Sequence, residues 1–500
     1  MWKKLLAVTL STALILPGFG GVSAAEGVSL SSKSGVSLSV SANEMDFGTN
    51  VINVVSNKFD LEFDLDDPSN GEIIRVSYID HEGNTQDLGD SSGSYTIEDY
   101  LVDKPGKSKI AIEVEVNVDD QENTKIDKFN LEVNYLNNPI IGARYQTDFV
   151  GGKKVEAFSG NVYVQFPKNA YITTSDSTMA PNQTLVFEVE EGEKELNANG
   201  SLNDGKTFLS PNYIVTSDGD ATSDAMLSAP GYITLSYGYQ DVLRKIGNVS
   251  SDVSLYNVSV VQYKDSKWTP IGGIVDTKKQ TITAPISEFG NYSVVSNSKT
   301  YSDLSDWARP ALMALAYKGI ITANGTGSKL RDDLEDPINR FDYTVMLAKS
   351  MNWAPLPYNG HFSDVTVTSS TYKESGYLMA AITNGLVQGS VDAVTEELKL
   401  NAGDNLSREE AAVFATRALN LKIATYSEKD AAKTDKDLAK YYNDYSDISA
   451  WAKPYVLAVS KAKIMNGDST KQFNPEDPLT FEEAGALIYK IMLENKQFGK

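Results

Sequence analysis

The sequence predicts a multidomain chain: an N-terminal all-β part of two β-sandwich-like domains, followed by an all-α C-terminal module of three repeats. Three observations carry this reading. From about residue 50 to residue 295 apolar and polar residues alternate in stretches such as KFDLEFDLDD and GEIIRVSYID, the period of strands with one buried face. At Tyr301 the pattern changes to helical spacing. After that point three segments align with one another. With 500 residues, 41% of them apolar, the chain is long enough to bury a core in each part.

The first 25 residues read as a secretory signal. Lys3 and Lys4 precede an apolar run over 5–16, then Pro17, and then small residues at Val22 and Ala24 or Ser23 and Ala25 that place cleavage after Ala24 or Ala25. That run is 12 residues long, whereas a membrane-spanning helix needs about 20. No later stretch is longer and as apolar, so no membrane span is expected once the signal is removed. Residues 26–142 form the first, Ig-like sandwich, with turns at DDPSNG, DHEGN and DDQENT. Residues 143–299 form the second. Its last part, Lys267 to Gly273, Thr281 to Ala284 and Phe289 to Val294, has the pattern of a closing hairpin.

The repeats are expected at 300–360, 361–424 and 444–500, with a charged linker at 425–443. They open at Tyr301-Ser302-Asp303, Phe362-Ser363-Asp364 and Tyr445-Ser446-Asp447, and Trp307 and Trp451 each stand six residues after the opening tyrosine. Their second halves align without gaps when Arg340, Arg408 and Phe481 share a column. Tyr343, Ala411 and Ala484 then fall together, as do Met346, Phe414 and Leu487, on one helix face. Asn339, Ser407 and Thr480 are N-cap residues, and Glu410 and Glu483 complete capping boxes in the last two repeats.

These residues resemble S-layer homology repeats, three in tandem, over about 301–495. The resemblance rests on the aromatic-Ser-Asp openings, the loops at Gly319 and Gly385, and the Ser407-Arg408-Glu409-Glu410 helix start. It implies a secreted protein at the wall surface or S-layer of a Gram-positive bacterium. It also implies a pseudo-threefold helical module whose inter-repeat grooves bind a pyruvylated secondary cell-wall polysaccharide. Such a sugar calls for the planar donor fork of arginine and for aromatic faces. The carbohydrate-binding residues implied are Arg408, Arg340, Ser407, Asp303, Asp364, Asp447, Trp307, Trp451, Gly389 and Gly467. Phe481 replaces the arginine of the third repeat, so one or two working grooves are expected, with Arg408 the strongest contact.

Plainer roles compete for the same residues. The two tryptophans suit core packing as well as sugar stacking, and Asp303, Asp364 and Asp447 suit helix caps. The Lys349, Arg417 and Lys490 column belongs at helix C-termini, where a cation is favoured anyway, and is left outside the site. Ala323, Gly389 and Gly467 align as small loop residues that would let a ligand approach the backbone.

Composition excludes other classes. Zero Cys and two His remove thiolate sites and His-rich metal centres. With 45 basic against 67 acidic residues, a net charge of −22, nucleic acid is not an expected partner. Of that charge, 23 basic and 40 acidic residues precede Tyr301, so an acidic β region is displayed outward from a milder anchor. No cofactor is expected, although acidic turns at Asp64/Asp66/Asp67/Asn70, Asp119/Asp120/Glu122 and Asp218/Asp220/Asp224 are candidate Ca²⁺ sites. No catalytic constellation stands out, so a non-enzymatic anchored surface protein is expected. The alternatives are a wall-anchored polysaccharide hydrolase with catalysis in the β regions, and a structural S-layer lattice protein that self-assembles.

Overall fold

The computed structural model describes residues 8–9 and 26–499, except 33–35, 43–44, 48–50, 55, 58, 80–83, 98–108, 121–122, 136–138, 175, 181–182, 191–204, 218–224, 238–254, 369–371 and 424–427. Almost all of the signal segment over 1–25 therefore lies outside the described residues. The architecture is the expected one, β domains followed by a helical module.

In the first β domain a five-stranded sheet, containing Ser37–Ala42, Phe59–Leu65 and Gly93–Ile97, faces a six-stranded one. The long hairpin of Lys109–Asp120 and Asn123–Tyr135 runs through the second sheet, and Val51–Val54 joins it in parallel. Alternation sets the faces: Phe59, Leu61, Phe63 and Leu65 point inward while Asp60, Glu62 and Asp64 point to water. They meet Val76, Val114, Val116 and Phe129 of the opposite sheet in one core.

The second sandwich pairs a seven-stranded with a five-stranded sheet. The expected closing hairpin is instead distributed over both. Lys267–Gly272 pairs with Val258–Lys264 in the larger sheet, Ile274–Asp276 pairs with Thr281–Ile286 in the smaller, and Gly290–Asn297 returns to the middle of the larger. Gly272 and Gly273, at φ 89° and 118°, make the crossing; such angles are open to glycine without strain. The two sandwiches share a continuous core and are pinned by buried Asn57, whose amide exchanges two 2.7 Å hydrogen bonds with the Gln146 backbone.

The helical module contains α1 (Arg309–Tyr317), α2 (Arg340–Ser350), α3 (Tyr372–Thr383), α4 (Arg408–Ala418), α5 (Glu428–Leu438), α6 (Lys453–Lys461) and α7 (Phe481–Glu494). The charged stretch read as a linker includes α5, which buries Thr434 and Leu438 and packs on α6, with Lys453 and Asp435 2.9 Å apart. Each repeat's first helix packs on the second helix of the repeat before it: α3 on α2, α6 on α4, and α1 on α7. No repeat closes its own core, and the third closes the ring onto the first.

A three-way backbone cycle marks the centre. Ile338 N donates to Leu479 O, Leu479 N to Leu406 O, and Leu406 N to Ile338 O, each at 2.9 Å. Around it Arg340 N, Arg408 N and Phe481 N donate to Asp404 O, Asp477 O and Asp336 O, which fixes the pseudo-threefold register. Tyr343, Ala411 and Ala484 are all fully buried, one large residue beside two small ones. The N-caps form as expected, with complete capping boxes at Ser407 and Thr480.

Candidate functional site

Between the repeats lies a groove of about 180 Å³ lined by Trp307, Arg408, Asn466, Glu483 and Lys490, over a floor of Ile464, Met465, Leu479, Ala486 and Leu487. All three repeats contribute to it. Trp307 stands in the turn before α1 and is 60% exposed, so it is not a core residue. Trp451, its counterpart before α6, is 53% exposed. The core-packing role weighed for both tryptophans is therefore overturned by the structure.

Arg408 opens α4 and reaches into the third repeat. Its Nε donates to Phe473 O at 2.8 Å, its Nη2 to Asn466 O at 3.3 Å, and the guanidinium lies 5.5 Å from the Phe473 ring centre. Nη1 makes no hydrogen bond among the described residues; Glu483, 4.0 Å away, already caps α7 through Thr480 N. The fork is thus held by hydrogen bonds at one edge and by a long ion pair to Glu483 Oε1 at the other, the edge at which an incoming carboxylate would compete. Lys490, left outside the site on sequence grounds, brings a second cation to the groove, with Nζ 3.4 Å from Ile464 O. Its place on the α7 face that also carries Ala486 and Leu487 is the signal that would have found it.

The related positions are not equivalent. Arg340 has the same reach, to Leu400 O and Asn401 O, but its Nη2 is spent on Glu410 at 2.5 Å. At Phe481 the guanidinium of Arg331 covers the ring at 4.1 Å, while its fork is held at 2.7 Å by both Asp333 oxygens. Ser407 uses its hydroxyl to cap α4.

The aspartates do not cap helices. Asp303 accepts from Leu330 N and Arg331 N, and Asp364 from Leu400 N and Ala402 N, so each ties its repeat's opening to its own later loop. In the third repeat Asp444, not Asp447, makes this clamp, to Phe473 N and Asn474 N. The true opening there is Tyr442-Asn443-Asp444: Tyr442 is buried like Tyr301 and Phe362, while Asp447 is exposed. A turn three residues longer before Trp451 accounts for the slip.

Gly389 and Gly467 also have internal causes. A Cβ at Gly389 would stand 2.4 Å from the Phe362 ring, and one at Gly467 would stand 2.8 Å from Gln472 O and 3.1 Å from the Tyr442 ring. Close approach is required by the protein's own opening aromatic, not by a ligand. Two buried acids escaped the sequence reading. Glu409 accepts from Ser449 N at 2.9 Å and Glu482 from Ser305 N at 3.2 Å, so α4 and α7 each tie down the turn that leads into the first helix of the following repeat.

Among the described residues no group of three or more His, Asp or Glu side chains is arranged to hold a metal ion. Of the acidic turns, Asp67 caps its own short helix through Ser69 N, and Ser39 Oγ donates to Asp66. The turn at 218–224 lies outside the described residues. No helix among the described residues is long and apolar enough to cross a membrane.

The family model for the S-layer homology domain matches residues 441–484, which hold the Asp444 clamp, α6 and the start of α7. The chain carries an S-layer homology domain, and it is a protein of the cell-wall surface. Its relatives include an amylopullulanase of Thermoanaerobacterium thermosulfurigenes, 27% identical over 275 residues, which covers 54% of this chain and 13% of that protein. They also include exoglucanase XynX of Acetivibrio thermocellus, 29% identical over 217 residues, covering 41% and 18%, and an endoglucanase of Bacillus sp. (strain KSM-635), 24% identical over 221 residues, covering 44% and 21%. This chain spans about a fifth or less of each relative's length. The amylopullulanase match is longer than the segment from Tyr301 to the end, so it extends into the β region. The expectation of a non-enzymatic protein is overturned by these relatives, which are named as an amylopullulanase, an exoglucanase and an endoglucanase.

Proposed function

We propose that the chain serves polysaccharide hydrolysis at the cell surface, with the helical module as its anchor and the β region carrying or positioning the glycan-cleaving part. The names of the relatives support the hydrolytic half of this reading. The groove supports the other half, and the observation that carries it is the Arg408 fork, hydrogen-bonded at one edge and only loosely paired with Glu483 at the other. Arg408 and Lys490 supply positive charge and Trp307 an exposed aromatic side chain to the same groove. A sugar ring bearing a carboxylate, as in a pyruvylated secondary wall polymer, matches that pairing. The net charge of −22 repels an anionic polymer only at short range, because salt screens such fields beyond about 8 Å, and contact chemistry in the groove decides binding.

Two measurements test the two halves. Full chain should sediment with purified sacculi and lose that binding when the secondary polymer is stripped off; equal binding to bare peptidoglycan refutes the groove's role. Incubation with glucans should release reducing sugar, and an unchanged reducing-end count across them refutes hydrolysis by this chain.

A further inference from the structure

Lys318, just past the end of α1, lies in the seam between the helical module and the second sandwich. Hydrogen bonds cross this seam from Asn352 Nδ2 to Thr283 O (3.1 Å), Asn297 Nδ2 to Tyr317 O (3.4 Å) and Val275 N to Gln497 O (3.3 Å). Phe498 packs on Tyr256 with ring centres 4.9 Å apart. The fit is tight enough that a Cβ at Gly319 would stand 2.2 Å from Pro270 O. Here the Lys318 side chain is buried, 3% exposed, with Nζ 2.7 Å from Gly273 O and 5.8 Å from the Phe498 ring centre.

An ammonium has three N–H groups to place, and among the described residues Nζ has one hydrogen-bond acceptor. An uncompensated buried charge is costly, whereas the neutral amine fits the same space with less loss. Burial alone pushes this amine down to about 7, with no contribution from a neighbouring charge. Other titratable groups stand around the seam. Asp276 is held below the usual carboxylate range by the Lys279 and Lys278 backbone N–H groups, and burial pushes the Tyr317 and Tyr489 hydroxyls up. Lys299 lies over the Tyr301 ring, Lys496 is on the C-terminal segment, and Tyr256 belongs to the aromatic cluster. The 270–273 turn carries no titratable side chain.

We propose that this seam is a proton-sensitive joint: neutral Lys318 keeps the helical module docked on the second sandwich, and protonation releases it. The docked state holds the proton less tightly than the open one. Docking therefore gains strength as pH rises from about 7 toward the ordinary lysine value of 10.5, and the penalty is fully present below about 7. Within that window the docked-to-open ratio changes by up to about tenfold per pH unit. The consequence is an anchor that holds the β region in one orientation at alkaline pH and lets it swing as the surroundings acidify.

Hydrogen exchange at the Val275 amide, which donates across the seam, reads this out in the full chain from pH 6 to 9 after correction for intrinsic exchange. Protection should fall steeply toward pH 7 in the wild type and stay flat in Lys318→Met. A flat wild-type profile, or the same slope in Lys318→Met, overturns the proposal. Should that variant not fold, Lys318→Gln, which also lacks the titrating group, serves in its place.

Discussion

Replacing Arg408 with alanine separates ligand binding from scaffold stability, because Arg340 provides an internal control. Both side chains tie their helix to a carbonyl pair in the next repeat's loop: Arg408 to Phe473 O and Asn466 O, Arg340 to Leu400 O and Asn401 O. Each truncation should therefore destabilise the module by about 1.5–3 kcal/mol, for charge-assisted hydrogen bonds of which the carbonyl partners remain, and Arg340→Ala by the larger amount because it also leaves Glu410 without its partner. Their effects on binding should differ. Glu483 stands 4.0 Å from the groove-facing nitrogen of Arg408, whereas the equivalent Glu410 holds Arg340 in a 2.5 Å hydrogen bond, so only the Arg408 fork is loosely paired. Loss of a carboxylate contact of the same strength predicts about 10- to 100-fold weaker wall binding for Arg408→Ala, and a much smaller change for Arg340→Ala. Co-sedimentation with sacculi, alongside thermal unfolding of both variants, measures the two effects separately. Folded Arg408→Ala that binds like the wild type, or Arg340→Ala that loses as much affinity, would refute the reasoning.

Three further substitutions test the scaffold. Tyr343 is fully buried and its hydroxyl has no hydrogen-bond partner among the described residues, so Tyr343→Phe should raise the unfolding free energy by about 1 kcal/mol in a denaturant titration. Lys463 takes the left-handed conformation, φ 59°, at the position held by Gly319 and Gly385 in the other repeats; Lys463→Gly should stabilise the module by about 1 kcal/mol, seen as a higher melting temperature. Glu409→Ala removes the acceptor of Ser449 N and should cost about 1–3 kcal/mol, with amide exchange faster at the start of α6 than elsewhere.

The parts legible in the sequence were those with a period. The gap-free columns from Arg340, Arg408 and Phe481 onward fall on the buried faces of α2, α4 and α7, because a helix allows no insertion without rotating its apolar stripe out of the core. Loops impose no such rule. The third opening could be matched to Tyr445-Ser446-Asp447 as readily as to Tyr442-Asn443-Asp444, and only the hydrogen bonds of Asp444 decide between them. The helix α5 was hidden for a related reason: its core-facing side presents chiefly Thr434 and Leu438 among charged residues. At the site, sequence identified Arg408 and Trp307 but not their meeting across repeats one and two, nor Lys490 beside them. That proximity is a product of the ring closure, which no single repeat encodes.

The three-membered backbone cycle at Ile338, Leu406 and Leu479 has a mechanical consequence. Each strand of the cycle both gives and receives, so unravelling any one repeat breaks two of its three bonds and strips a first or second helix from a neighbour. Tension applied across the helical module is thereby spread around a closed hoop instead of drawn out along the chain.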